Sequence, residues 1–199
     1  MPGITDAFLL FALVATLSPG GATTLATASG IRHGYRRSIP LILGIAAGLA
    51  MLAAAGALGV GVFIMTFPAL DLTIRAIGSA YLLWLVVKIW SAGPPAQDGL
   101  EAAAPFGFPS GLLLTLLNPK GWAMTMAAAV TFAPIAPDPA ALAMIMAFTF
   151  ASAAVLSLSV WCLGGVAVSR RISSPGQWRF ANRTLAVLLA GCIAPLWIG

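Results

Sequence analysis

Apolar and polar positions in this chain are sorted into blocks. Six apolar stretches, residues 7–29, 39–66, 72–91, 109–133, 140–168 and 180–198, alternate with short segments that hold most of the charge. A helix needs about 20 apolar residues to cross a hydrocarbon core roughly 30 Å thick. The blocks therefore predict an all-α integral membrane protein of about six transmembrane helices. The last block is the shortest and contains Pro195. The 199 residues leave room for one polytopic domain and no separate soluble module.

Two blocks are interrupted in the same way. Ser18-Pro19-Gly20-Gly21 sits in the first and Asn118-Pro119-Lys120-Gly121 in the fourth, one hundred residues apart. Proline removes an amide donor and clashes with the preceding turn, and glycine adds backbone freedom. Inside hydrocarbon, freed backbone groups cost several kcal/mol unless protein or cavity water satisfies them. Matching breaks in the two halves of a chain point to a binding site shared between the halves. Transport is the expected function.

Composition agrees with the block pattern. The chain is 60% hydrophobic and 8% charged, whereas soluble domains carry about 25% charged residues. The mean hydropathy is +1.01. A net charge of +5 would suggest nucleic acid in a soluble protein, but here the positive-inside rule accounts for it. No nucleic-acid partner is expected. The first basic residue is Arg32, so no positive n-region precedes the first block, which reads as a retained span.

The placement of charge sets an orientation. Residues 30–38 carry Arg32, His33, Arg36 and Arg37, residues 169–183 carry Arg170, Arg171, Arg179 and Arg183, and Lys88 closes the third block. If these share the cytoplasmic side, both termini lie outside, and the protein is a multi-pass component of the cytoplasmic membrane. The first three spans, taken as a unit, then begin outside and end inside, and the last three begin inside and end outside. This predicts two inverted three-helix repeats, 1–91 and 109–199, joined by a Pro- and Gly-rich cytoplasmic linker at 92–108 that holds Asp98 and Glu101. Pro19 and Pro119 fall roughly 18 Å and 15 Å into their spans from opposite faces, near the middle of the core.

Lys120 is the one basic side chain deep in a predicted span. An ionisable group there costs at least about 2.5–3.5 kcal/mol on insertion scales, so it suggests a substrate or proton site. The competing reading is a lysine bonded to carbonyls freed by Pro119, supporting the break alone. No Asp or Glu lies mid-span, which argues against a carboxylate proton relay or a hard-cation cage. Thr16, Gly20, Thr23 and Thr27 share a stripe of the first span, and Thr115, Asn118, Trp122 and Thr125 one of the fourth. Thr149, Ser152 and Ser159 share a face of the fifth. Together these suggest a polar path, while for any single hydroxyl the ordinary reading is an interhelical hydrogen bond.

Other features read as structural. Gly44 and Gly48 form GxxxG, which allows close helix contact within the protein or across a homodimer. Trp84, Trp90, Trp161, Trp178 and Trp197 lie near span ends and read as an aromatic belt, with Trp122 near the break the exception. Cys162 and Cys192 form no metal or redox spacing and read as packing residues. No nucleophile–base pair or phosphate loop is visible, so neither enzyme activity nor a cofactor is expected.

Several of these motifs, in order, resemble the LysE/RhtB amino-acid exporter family. Ser18-Pro19-Gly20-Gly21 resembles its Pro-Gly-Pro first-span signature. Arg32-His33-Gly34-Tyr35-Arg36-Arg37 is similar to its basic loop, and Gly44 and Gly48 to its Gly-rich second span. Ile77-Gly78-Ser79-Ala80-Tyr81-Leu82-Leu83-Trp84-Leu85 is similar to its third span, Gly111-Leu112 through Leu117-Asn118-Pro119-Lys120 to its fourth, and Asn182-Arg183 precedes the last span. Gly21 departs from the family's second proline. The resemblance implies export of amino acids or related metabolites across a bacterial inner membrane, driven by proton motive force or exchange.

The expected mechanism is alternating access around a site formed by Ser18, Pro19, Gly20, Gly21, Thr23, Asn118, Pro119, Lys120 and Trp122, with Gly44, Gly48 and Gly78 in helix packing. First-turn amides after Gly20 would face a substrate carboxylate, and the missing acidic partner favours neutral amino acids. The alternatives are export of a metal ion or another metabolite, and a membrane redox protein. The latter would need cysteines beside Pro19 and Pro119, where there are none.

Overall fold

A computed structural model describes residues 2–60, 67–92, 105–194 and 197. Asp98 and Glu101 of the expected linker, and Pro195, lie outside them. The described residues are helical: α1 (Pro2–Leu17), α2 (Gly21–Ala57), α3 (Pro68–Trp90), α4 (Phe108–Leu116), α5 (Pro119–Thr131), a 3-10 turn (Ala133–Ile135), α6 (Pro139–Ser169) and α7 (Pro175–Gly191). They contain no strand, and the protein is all-α. By length and composition, Gly21–Ala57, Leu72–Trp90 and Pro139–Ser169 are each able to cross a membrane.

The helices differ from the apolar blocks in two ways. The first and fourth blocks are each two helices, because the chain leaves helical geometry at Ser18–Gly20 and again at Leu117–Asn118. In addition, α2 runs from the first break straight through the basic segment expected as a loop at 30–38. It turns a corner at Gly34, whose φ of 74° and ψ of 172° belong to a region that only glycine occupies readily. The Ser29 and Ser38 hydroxyls, nine residues apart, lie 2.7 Å from each other. Nine residues of straight helix would separate them by about 13.5 Å. Ser38 also donates to the Gly34 carbonyl at 2.8 Å, which ties off the corner. Pro40 is tolerated because it falls in the first turns of the second limb, where little of the backbone ladder is lost.

Both limbs of α2 lie at the centre of the molecule. α2 packs most extensively on α6 and then on α4, with further contacts to α5 and α7, while α3 packs on α7 and α1 on α6. Glycine permits the closest approaches. A Cβ on Gly30 would strike the Cys162 carbonyl, one on Gly165 the Thr27 carbonyl, one on Gly44 the Phe108 carbonyl and one on Gly111 the Leu41 carbonyl. A Cβ on Gly48 would come within 2.8 Å of the Thr115 Cβ. Gly78 does the same for α3, where the Leu117 carbonyl occupies the space that a side chain would need. At the far end, Phe8 and Phe11 of α1 pack on Phe132 and Phe150 with ring centroids 5.2–6.5 Å apart.

These contacts repeat. The second limb of α2 meets α4 and α5 at Leu41–Gly111, Gly48–Thr115 and Gly56–Thr125. α6 meets α1 and the first limb of α2 at Phe150–Phe11, Ser157–Thr16 and Gly165–Thr27. Adding 109 to the α2 member and subtracting 100 from the α4–α5 member carries each pair of the first set to within two residues of one in the second. In both sets the numbers rise together, so the paired helices run parallel.

Candidate functional site

A helix that stops at proline leaves carbonyls without their i+4 amides. At the first break every such carbonyl has found a donor. The Ser18 hydroxyl donates to the Ala15 carbonyl at 2.8 Å, which Pro19 would otherwise leave bare. The Ser157 hydroxyl donates to the Thr16 carbonyl at 2.8 Å. The Trp161 indole donates to the Leu17 carbonyl at 3.1 Å. The Lys120 ammonium donates to the Ser18 carbonyl at 2.9 Å, to the Ser18 hydroxyl at 2.7 Å and to the Pro19 carbonyl at 3.4 Å. Three of these four donor residues come from the second half of the chain.

The second break is organised more locally. Asn118 is the N-cap of α5, its side-chain oxygen accepting from the Lys120 amide at 3.0 Å, and Pro119 follows at the first helical position. The Thr115 carbonyl takes the Asn118 amide, and the Leu116 carbonyl takes the Trp122 indole at 2.9 Å. Each break thus has a tryptophan on one of its freed carbonyls. Trp122 does this for its own break and Trp161 for the other, so Trp161 is not a belt residue as its position near a span end suggested.

Lys120 combines the two readings of the sequence in an unexpected way. It does bond to freed carbonyls, but they belong to the Pro19 break and not to its own. Gly20, between them, has an extended backbone (φ 178°) that any residue adopts, so the conformation does not require glycine. The requirement is space, since a Cβ on Gly20 would lie 3.2 Å from the Lys120 ammonium nitrogen. Thr23 closes the start of α2, accepting from the Gly20 amide at 2.8 Å and donating to the Gly20 carbonyl at 2.9 Å.

Between the breaks lies a cavity of about 50 Å³. Ser18, Gly20, Gly21, Thr23, Asn118 and Lys120 line it, whereas Pro19, Pro119 and Trp122 stand outside. Apolar surface comes from Ile45, Leu49, Met124 and Leu158, which the sequence did not mark. Sites for small molecules measure about 300–1,000 Å³, so this space, room for a few waters, is smaller than such a site. Among the described residues no acidic side chain lines the cavity.

The proposed stripes of hydroxyls are largely committed to backbone. Thr16, Thr27, Thr115 and Thr125 each donate to the carbonyl four residues earlier, at 2.8–3.0 Å. Ser159 pairs with the Tyr35 hydroxyl at 3.0 Å, and Ser152 is exposed. The hydroxyl of α6 that reaches the break is Ser157, one helical face away. Other motif residues join helices: Tyr81 donates to the Ser110 carbonyl at 3.0 Å, and Asn182 to the Ala92 carbonyl at 2.6 Å.

The family model described as LysE type translocator matches residues 13–196. A cysteine/O-acetylserine efflux protein of Klebsiella pneumoniae subsp. pneumoniae is 32% identical, covering 96% of this chain and 95% of the relative. The protein of that name from Escherichia coli K12 is 30% identical over 96% of each. No solved structure matches the chain. The chain is a membrane transporter and not an enzyme, and it belongs to the LysE type translocator family.

Proposed function

We propose that the protein exports small neutral amino acids or their derivatives from the cytoplasm by alternating access at the junction of the two helix breaks. The observation that carries this reading is the Lys120 ammonium seated on the carbonyls of the opposite break. An ammonium there marks a place built to accept one, and the free ammonium of an amino acid would suit the same carbonyls. The first-turn amides of α2, which have no intrahelical acceptor, offer donors for its carboxylate beside the positive end of the helix. Among the described residues no acidic group lines the cavity to balance a cationic side chain, which favours neutral substrates. The efflux relatives named for cysteine and O-acetylserine fall in that class.

The parallel contact sets related by constant offsets support a pair of inverted three-helix repeats, 1–91 and 109–199, rocking about this junction. In that arrangement both termini lie outside and the basic segments face the cytoplasm. The test is efflux from proteoliposomes loaded with a panel of amino acids, with and without a pH gradient. Cysteine, O-acetylserine or a similar neutral solute should leave faster than from protein-free vesicles, and a gradient dependence would identify proton coupling. Efflux at the protein-free rate for the whole panel would overturn the reading.

A further inference from the structure

The cavity between the breaks has a polar edge and an apolar wall. The edge, with Ser18 and Lys120, is where the charged ends of an amino acid would sit, so its uncharged side chain is left to the wall. Four larger apolar side chains form that wall: Ile45, Leu49, Met124 and Leu158. Three of them are fixed. Ile45, Leu49 and Leu158 are only 2–3% exposed and belong to the hydrophobic core, where close-packed neighbours hold each rotamer. Met124 differs, being half-buried and packed at the edge of that core. It is also unbranched, with three rotatable bonds and a soft thioether, and so is the side chain best able to refit around a variable neighbour.

We infer that Met124 sets the upper size limit on the side chain of the exported solute. The inference rests on the transport reading above and deepens it by naming the group that selects among neutral amino acids. Met124 lies four residues after Lys120, so the two side chains share a face of α5 about 6 Å apart along its axis, and both line the cavity. The helix thus presents a cation and then, one turn on, a movable apolar arm. A free space of about 50 Å³ is smaller than a small-molecule site, so room for a solute has to come from a wall that yields. A side chain of cysteine's size fits once Met124 turns aside, whereas a branched four-carbon chain needs room that the three fixed residues deny. One methylene in an apolar pocket changes specificity about 10–200-fold, so truncating one wall residue is enough to shift the choice of substrate.

The test uses the full-length protein in proteoliposomes loaded with an equimolar mixture of L-cysteine and L-leucine. Because the two solutes compete for the same carriers, the ratio of their protein-dependent initial efflux rates does not depend on how much protein is active. Met124→Ala should raise the leucine-to-cysteine ratio about tenfold or more over wild type. Met124→Leu, of similar volume, should leave the ratio near the wild-type value. So should Met126→Ala, since Met126 is also a half-buried residue of α5 but does not line the cavity. Met124→Phe fills the space instead and should lower the ratio, and it decides the matter if Met124→Ala does not purify as a folded protein. An unmoved ratio in folded Met124→Ala, or in Met124→Phe where it stands in, would overturn the assignment. An equal rise in Met126→Ala would do the same, since it would show a general loosening of α5. The two readings fail separately. Wild-type efflux of cysteine above the protein-free rate, with a ratio that Met124 does not move, removes the size limit alone, and efflux of neither solute from wild type removes both.

Discussion

The ammonium of Lys120 lies 2.7 Å from the hydroxyl and 2.9 Å from the carbonyl of Ser18, 102 residues earlier in the chain. One side chain thus clasps the two interrupted helices across the cavity. The same lysine lines the cavity of about 50 Å³ between the breaks. In the alternating-access reading proposed above, it sits on the acceptors proposed for a substrate amine, and opening would require it to give way.

Replacing Lys120 with Met keeps an unbranched side chain one atom shorter and removes its donors. Efflux should fall to the protein-free rate while the protein still inserts and purifies as a folded species. Near-normal efflux in proteoliposomes would remove the role assigned to this ammonium. Leaving the Ser18 carbonyl unpaired should also cost about 1–3 kcal/mol in thermal unfolding.

Gly20→Ala places a methyl 3.2 Å from the Lys120 nitrogen without straining the backbone. It should impair transport by displacing the lysine, and its cost to stability should shrink when Lys120 is already Met. The double-mutant cycle in unfolding free energy should therefore show coupling of about 0.5 kcal/mol or more, where independent sites add. Strict additivity would show that Gly20 acts through something other than the lysine.

Trp161→Phe keeps the aromatic body and deletes the donor to the Leu17 carbonyl. A buried acceptor left bare costs about 1–3 kcal/mol. Thermal unfolding in detergent should show the loss, and Trp178→Phe, whose indole donates to no described residue, should not. An unchanged midpoint for Trp161→Phe would mean that water replaces the indole.

Gly34→Ala tests the corner. A Cβ there meets nothing within 4 Å, so the cost is purely conformational, about 1–3 kcal/mol for leaving a glycine region. Gly164 in the last two turns of α6 also has open space, but its backbone is helical, and Gly164→Ala should stabilise by about 0.5–1 kcal/mol. Unfolding midpoints moving in the same direction for the two variants would refute the distinction.

Much of this site was legible from local chemistry. A proline inside an apolar run stops a helix wherever the rest of the chain goes, so both breaks and the exceptional status of Lys120 follow from short stretches. Which donors satisfy the freed carbonyls is a tertiary fact. Ser157 and Trp161 meet the first break because α6 packs along α1, and nothing in their neighbours in sequence says so. Position near a span end made Trp161 resemble an interfacial anchor, and a stripe counted at 100° per residue selected Ser152 and Ser159 instead of Ser157. The corner at Gly34 escaped for another reason. Its flanking residues are polar enough to read as a loop, yet they are good helix formers on both sides of a single glycine. Gly20 was expected to lend flexibility, and its structural demand turns out to be room for a side chain from elsewhere.

The first break has a further consequence for how the protein is made. Its Thr16, Leu17 and Ser18 carbonyls depend on Ser157, Trp161 and Lys120, all of which leave the ribosome later. A nascent chain that ends at residue 91 therefore carries an interrupted helix with bare acceptors, which hydrocarbon does not tolerate. Full pairing of the first break therefore waits on side chains that are synthesised last.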